Sequence, residues 1–143
     1  MSCINKTLKI YLAGKMSGLT YEQMNDWRVS LTNRLNVAAE NAGYKLVIIN
    51  PVLFYNFEEK KYQSEKEVRD YDLAHATTSD IVIVNLDGLN TSDGTKQELH
   101  DTNYHKKLIF QICFLDSLIC NISKKIVNTL KEISYITFVI MFH

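Results

Sequence analysis

Apolar and polar positions along this chain switch between two periods, and the switches mark out the elements. Leu8 to Ala13, LKIYLA, is a short apolar run that predicts a first strand. The loop GKMSG, Gly14 to Gly18, follows it. Thr20 and Gln23 have capping-box spacing, which predicts a helix start. Met24, Trp27, Leu31, Leu35, Ala38 and Ala42 recur at three- and four-residue steps, forming one apolar helix face that Gly43 ends. KLVIIN, Lys45 to Asn50, predicts a second strand closed by Pro51. The segment after it, VLFYNFEEKKYQ, has no clear period, and its aromatics Phe54, Tyr55 and Phe57 either line a pocket or simply pack. Ser64 and Glu67 form a second capping box and open a helix that runs to about Thr78. DIVIVNLD, Asp80 to Asp87, carries β-branched residues on both faces, as a doubly covered central strand does. A helix from about Thr95 to Tyr104, a strand KLIFQIC (Lys107 to Cys113), an amphipathic helix through Ile122, Ile126, Val127, Leu130 and Ile133, and a strand YITFVIM (Tyr135 to Met141) complete the pattern.

Strands that alternate with helices predict an α/β fold with a parallel sheet covered on both faces. With right-handed crossovers, the most economical topology for these five strands is the flavodoxin-like, Rossmann-like order 2-1-3-4-5. A chain of 143 residues without repeats or a linker reads as a single domain, 1–143. Sixteen basic and sixteen acidic side chains cancel, which argues against a nucleic-acid polymer as partner. Cys3, Cys113 and Cys120 have no metal-ligand spacing and read as reduced thiols, as in a cytoplasmic protein. The amino terminus lacks a signal core of adequate length, and the apolar end YITFVIMFH is far shorter than a membrane span of ~20 residues, so no membrane partner is expected.

In a parallel sheet of this order the loops after strands one, two and three open on one edge, where such folds bind ligands. They carry Gly14 to Gly18, Asn50 to Gln63 and Gly88 to Glu98. Glu98 falls near a helix start, where unpaired peptide N–H groups favour an anion, so it is expected to stay ionised at neutral pH. It is then either a nucleophile able to form an ester or an ordinary first-turn glutamate on a solvated helix. Ser92 and Asp93 are turn and cap residues in one reading, and partners of sugar hydroxyls or a phosphate in the other. Asp72 shares a helix face with Val68 and with His75 or Ala76; it either serves a site, or pairs with Arg69 or caps a backbone. Gly14 and Gly18 give only a weak phosphate-loop signal. The histidines form no metal pattern, and no metal or organic cofactor is expected.

The ordered set KIYLAGKMSG, YDLAHATTSDIVIVNLDG and SDGTKQEL resembles the nucleoside 2-deoxyribosyltransferase superfamily, over about residues 8 to 110. The sequence YLAGKMSGLTYEQMNDWR with GYKLVIINP is similar to its small phage and bacterial branch, related to the 2'-deoxynucleoside 5'-monophosphate N-glycosidases. The resemblance implies that Glu98, four residues after Gly94, is the nucleophile. It implies that Asp72 helps to protonate or hold the leaving base, that Tyr11 orients the nucleophile, and that Gly14, Lys15, Ser17 and Gly18 form the pocket loop. Ser92, Asp93 and Gly94 would contribute to substrate binding. The family's Glu-Leu-Gly with a later alanine is here Glu98-Leu99-His100 with Thr102.

The implied activity is cleavage of the N-glycosidic bond of a 2'-deoxynucleoside, with deoxyribose passing through a glutamyl ester to another base. Two alternatives stand beside it: hydrolysis of nucleoside 5'-monophosphates, with Lys15, Ser17 and Ser92 near the phosphate, and a non-catalytic nucleotide-binding module. The partner expected in each case is a small nucleoside or nucleotide. The resemblance also implies a homodimer or higher homo-oligomer.

Overall fold

The computed structural model describes residues 7–55, 62–105 and 107–112. The elements run β1 (Thr7–Ala13), α1 (Tyr21–Asn41), β2 (Lys45–Ile49), α2 (Glu65–Thr78), β3 (Ile81–Asn85), α3 (Asp93–Tyr104) and β4 (Leu108–Ile112), with 3-10 turns at Pro51–Phe54 and Leu89–Thr91. Among the described residues the sheet has four strands in the order β2-β1-β3-β4. Every pairing is parallel, with Tyr11 opposite Ile49 on one side and Val82 on the other. The expected helix through 122–133 and fifth strand at 135–141 lie outside the described residues, as do the three cysteines. No helix among the described residues is long and apolar enough to cross a membrane.

Local chemistry explains where the helices begin and end. Thr20 closes a capping box on α1: its hydroxyl accepts from the Gln23 N–H, and Gln23 Oε1 accepts from the Thr20 N–H at 3.0 Å. At the other end Gly43, at φ +77°, donates to the Glu40 carbonyl, and the Tyr44 N–H reaches back to Ala39. This is a left-handed stop that a side chain would strain. The box expected on α2 is only half formed. Ser64 Oγ accepts from the Glu67 N–H, but Glu67 accepts from Gln63 rather than from Ser64 itself.

The strands divide two cores. Ile10 and Leu12 of β1 point to the α1 side with Trp27, Leu31, Leu35, Ile81, Ile83, Phe110 and Ile112. Tyr11 and Ala13 point to the other side with Ile49, Val82, Val84, Ile109 and Ala76 of α2, and Leu99 of α3 packs against them. This is the two-residue alternation of a strand. All five residues of β3 are buried, as its unbroken apolar run predicts. Each fully buried isoleucine or leucine contributes about 1.5–3 kcal/mol of transfer free energy. The layering brings α2 and α3 side by side over the same stretch of β1.

Candidate active site

Tyr11 carries a polar tip into the core beneath α2 and α3. Its ring is fully buried, and its hydroxyl donates to Glu98 Oε1 at 2.9 Å. Glu98 is itself buried, at 7% exposure. Asp72, on the neighbouring helix, is buried to 5% exposure, and its Oδ1 accepts a 2.6 Å hydrogen bond from the Tyr55 hydroxyl. Neither carboxyl takes part in a salt bridge among the described residues.

The position of Glu98 corrects the sequence expectation. Ser92 caps α3, so the helix begins at Asp93 and Glu98 is its sixth residue, in the second turn. The helix dipole acts mainly within the first turn, whereas desolvation acts wherever the carboxyl is covered. Burial, reinforced by the nearby charge of Asp72, pushes the Glu98 carboxyl up to about 8, against the smaller opposing effects of the Tyr11 hydrogen bond and Arg28. Burial also raises Asp72, to about 6, and Tyr55 and Arg28 hold it back from rising further. Burial therefore disfavours the ionised form of both carboxyls, and more strongly that of Glu98.

Arg28 is the positive charge behind both carboxyls, and the sequence reading missed it. It is fully buried in α1 and packs over the Trp27 ring. Its guanidinium donates to the carbonyls of Leu12 (3.2 Å), Gly14 (2.9 Å) and Met24. Desolvation lowers it to about 10, so it remains a cation at neutral pH. A signal was present: Arg28 falls four residues after Met24 and three before Leu31, inside the apolar stripe of its helix. Tyr55 was named only among several aromatics of an aperiodic segment. The buried Asn25–Asn50 bond, at 2.8 Å, was also missed; it joins α1 to the turn after β2.

The predicted loop residues behave differently from one another. A Cβ on Gly14 would lie 2.8 Å from Trp27 Cζ2, so the chain passes there only without a side chain. Lys15 Nζ donates to Thr91 Oγ1 at 2.7 Å and ties the loop after β1 to the one after β3. Ser17 and Gly18 are exposed, with Gly18 at φ +76°. The Ser92 hydroxyl is engaged with the hydroxyl of Thr95 at 2.7 Å, Asp93 faces solvent and pairs with Lys96 at 3.2 Å, and Gly94 is exposed within the first turn of α3. Thr102 is fully buried, and its hydroxyl bonds back to the Glu98 carbonyl one turn earlier in α3 at 2.7 Å. Among the described residues no group of three or more His, Cys, Asp or Glu could hold a metal ion.

Two cavities are within the range that takes a small organic ligand, and neither Glu98 nor Asp72 is among their described lining residues. One, of about 500 Å³, is walled by Leu53, Phe54, Tyr55, Tyr62, Val68 and Tyr71. The other, of about 540 Å³, lies at the point where β1 and β3 diverge to opposite crossovers, and is lined by Lys15, Trp27 and Asn85 with the acids Glu22, Asp26 and Asp87.

No family model and no curated protein matches the chain. Among solved structures, a conserved protein from Enterococcus faecalis V583 aligns over 93% of this chain and 81% of its own, with a TM-score of 0.61 and 16% identity. The two share a fold. The CMP N-glycosidase BcmB of Clostridium botulinum aligns over 91% of this chain and 88% of its own, with 16% identity and a TM-score of 0.42, too loose a superposition to carry residues across.

Proposed function

We propose that this chain cleaves the N-glycosidic bond of 2'-deoxynucleosides and passes the deoxyribosyl group to a second base. The observation that carries this reading is the buried pair of carboxyls from two helices, each held by a tyrosine: Glu98 by Tyr11 and Asp72 by Tyr55. A buried acid without an ion-pair partner is expensive to keep in a fold, and such groups concentrate at reaction centres. The positions are also those at which the sequence motifs resemble the deoxyribosyltransferases.

The chemistry follows from the two buried carboxyls. Attack requires Glu98 as an anion, so a proton held by Glu98 must pass to the Asp72 side, against the burial that favours its neutral form. Positive charge developing on the sugar ring offsets that preference, because it favours the Glu98 anion. A Glu98 oxygen bonds to C1′, the C1′–N bond breaks, and its electron pair leaves with the base, which takes the proton held by Asp72. In the second half an incoming base nitrogen attacks C1′ and loses its proton to Asp72, and the glutamyl ester opens to the carboxylate. A water molecule in place of the base gives hydrolysis by the same steps. The proposal extends, by resemblance, to a homo-oligomer acting in the cytoplasm without a metal or organic cofactor.

One observation favours a nucleoside over a 5'-monophosphate. Among the described residues, the cavity that Lys15 lines carries the carboxylates of Glu22, Asp26 and Asp87 against that one cation, which repels a phosphate dianion. The test is chromatography of base release and exchange from deoxynucleosides and their monophosphates, with and without a second free base. New nucleoside formed by the wild type and lost in Glu98→Ala is the expected result. Free base released only from monophosphates would identify the hydrolase instead. Full activity in Glu98→Ala would refute the mechanism, and no turnover of any substrate would leave a nucleotide-binding module.

A further inference from the structure

Tyr55 belongs to neither of the two helices that supply the carboxyls, yet its hydroxyl is within reach of two acceptors on one of them. It is 2.6 Å from Asp72 Oδ1 and 3.3 Å from the Val68 carbonyl, one turn earlier in α2. A phenol has one proton to donate and lone pairs to accept with. When Asp72 is ionised, the stronger and nearer acceptor is its carboxylate. When Asp72 carries a proton, the phenol can receive that proton in a hydrogen bond and turn its own towards Val68.

We propose that Tyr55 is a positioning residue that satisfies Asp72 in both of its protonation states, so that a buried carboxyl can act as acid and then as base without losing its partner. This deepens the glycosidase reading and rests on it for the word acid. The hydrogen bond itself is independent of turnover. Asp72 is also faced by Glu98 from α3, by Tyr11 from β1 and by the Arg28 guanidinium from α1. Glu98 and Tyr11 bond each other, and the Arg28 guanidinium donates to backbone carbonyls. Among the described residues Tyr55 is the group that bonds Asp72 directly, and its bond favours the ionised form. Its ring is at the same time a wall of the 500 Å³ aromatic cavity, so the device sits between that cavity and the acid.

The experiment follows Asp72 itself and the reaction in parallel. Carbon-13 NMR of aspartate-labelled protein, assigned with Asp72→Asn, gives the titration midpoint, and kcat/KM against pH gives the acid limb. In Tyr55→Phe the midpoint is expected to rise by about one to two pH units. The acid limb should move with it, and KM should stay within about twofold. Incorporating 3-fluorotyrosine at position 55 keeps the ring and strengthens the donor, so both readouts should move the other way; this second variant also covers a failure of Tyr55→Phe to fold. An unchanged Asp72 titration in the folded variants overturns the proposal, whatever the activity. A shifted titration in a protein that turns over no substrate supports the hydrogen bond and sinks the glycosidase reading instead.

Discussion

Replacing Glu98 with glutamine should stabilise the protein at alkaline pH, and the size of the gain follows from the burial of one carboxyl. Glu98 ordinarily titrates near 4.5, and burial in the folded state carries it up to about 8. Between these values the unfolded chain has released the proton and the folded chain still holds it. Stability is therefore fully present below about 4.5 and falls as pH rises towards 8. The slope is about 1.4 kcal/mol per pH unit, and the whole passage costs about 5 kcal/mol, an order-of-magnitude figure. Domains of this size have only about 5–15 kcal/mol in total, so the effect is large. Asp72 adds a loss of the same sign at lower pH, between 3.8 and about 6, which leaves the interval from 6 to 8 to Glu98. Glutamine keeps the shape and still offers an oxygen to Tyr11. The assay is urea unfolding of wild type and Glu98→Gln at half-unit steps from pH 4 to 9. Near pH 4 the two should agree within about 1 kcal/mol. Above pH 8 Glu98→Gln should be more stable by several kcal/mol. A difference that stays constant with pH, or a variant less stable than wild type at pH 8.5, would show that Glu98 is not the buried acid described here.

Two further outcomes follow from particular contacts. Tyr11→Phe removes the only hydrogen bond that the Glu98 side chain receives among the described residues. Because that bond is worth about 1.5–3 kcal/mol to the ionised nucleophile, kcat should fall by about 10- to 150-fold with little change in KM, and steady-state kinetics with a deoxynucleoside would reveal this. Gly14→Ala puts a methyl group 2.8 Å from the Trp27 ring and 3.3 Å from Arg28 Nη2, so it should lower the urea-unfolding free energy by about 1–3 kcal/mol while leaving the far-ultraviolet circular dichroism intact.

The periodic pattern predicted the described α-helices and strands, the caps of α1 and the central position of β3, and right-handed crossovers added the parallel order of the first four strands. These follow from interactions spanning three or four residues, or from an apolar run that must be covered on both faces. The motif resemblance singled out Glu98, Asp72 and Tyr11 as residues of one site, and their burial over one stretch of β1 is compatible with that grouping. The start of α3 was read two residues late, because Ser92 as cap outweighed the poor helix propensity of Gly94. What only the tertiary structure decided is the chemical state of the site. Whether a glutamate is ionised depends on what covers it, and the groups that act on Glu98 come from elsewhere in the chain; Tyr11 alone is 87 residues away. Arg28 looks like a solvated charge in a list of residues and becomes a buried cation only when β1 supplies its carbonyl partners. Tyr55 is one aromatic among several until the turn after β2 sets it against α2. Local sequence encodes where a helix begins, but desolvation and the pairing of buried charges are sums over neighbours that the fold alone assembles.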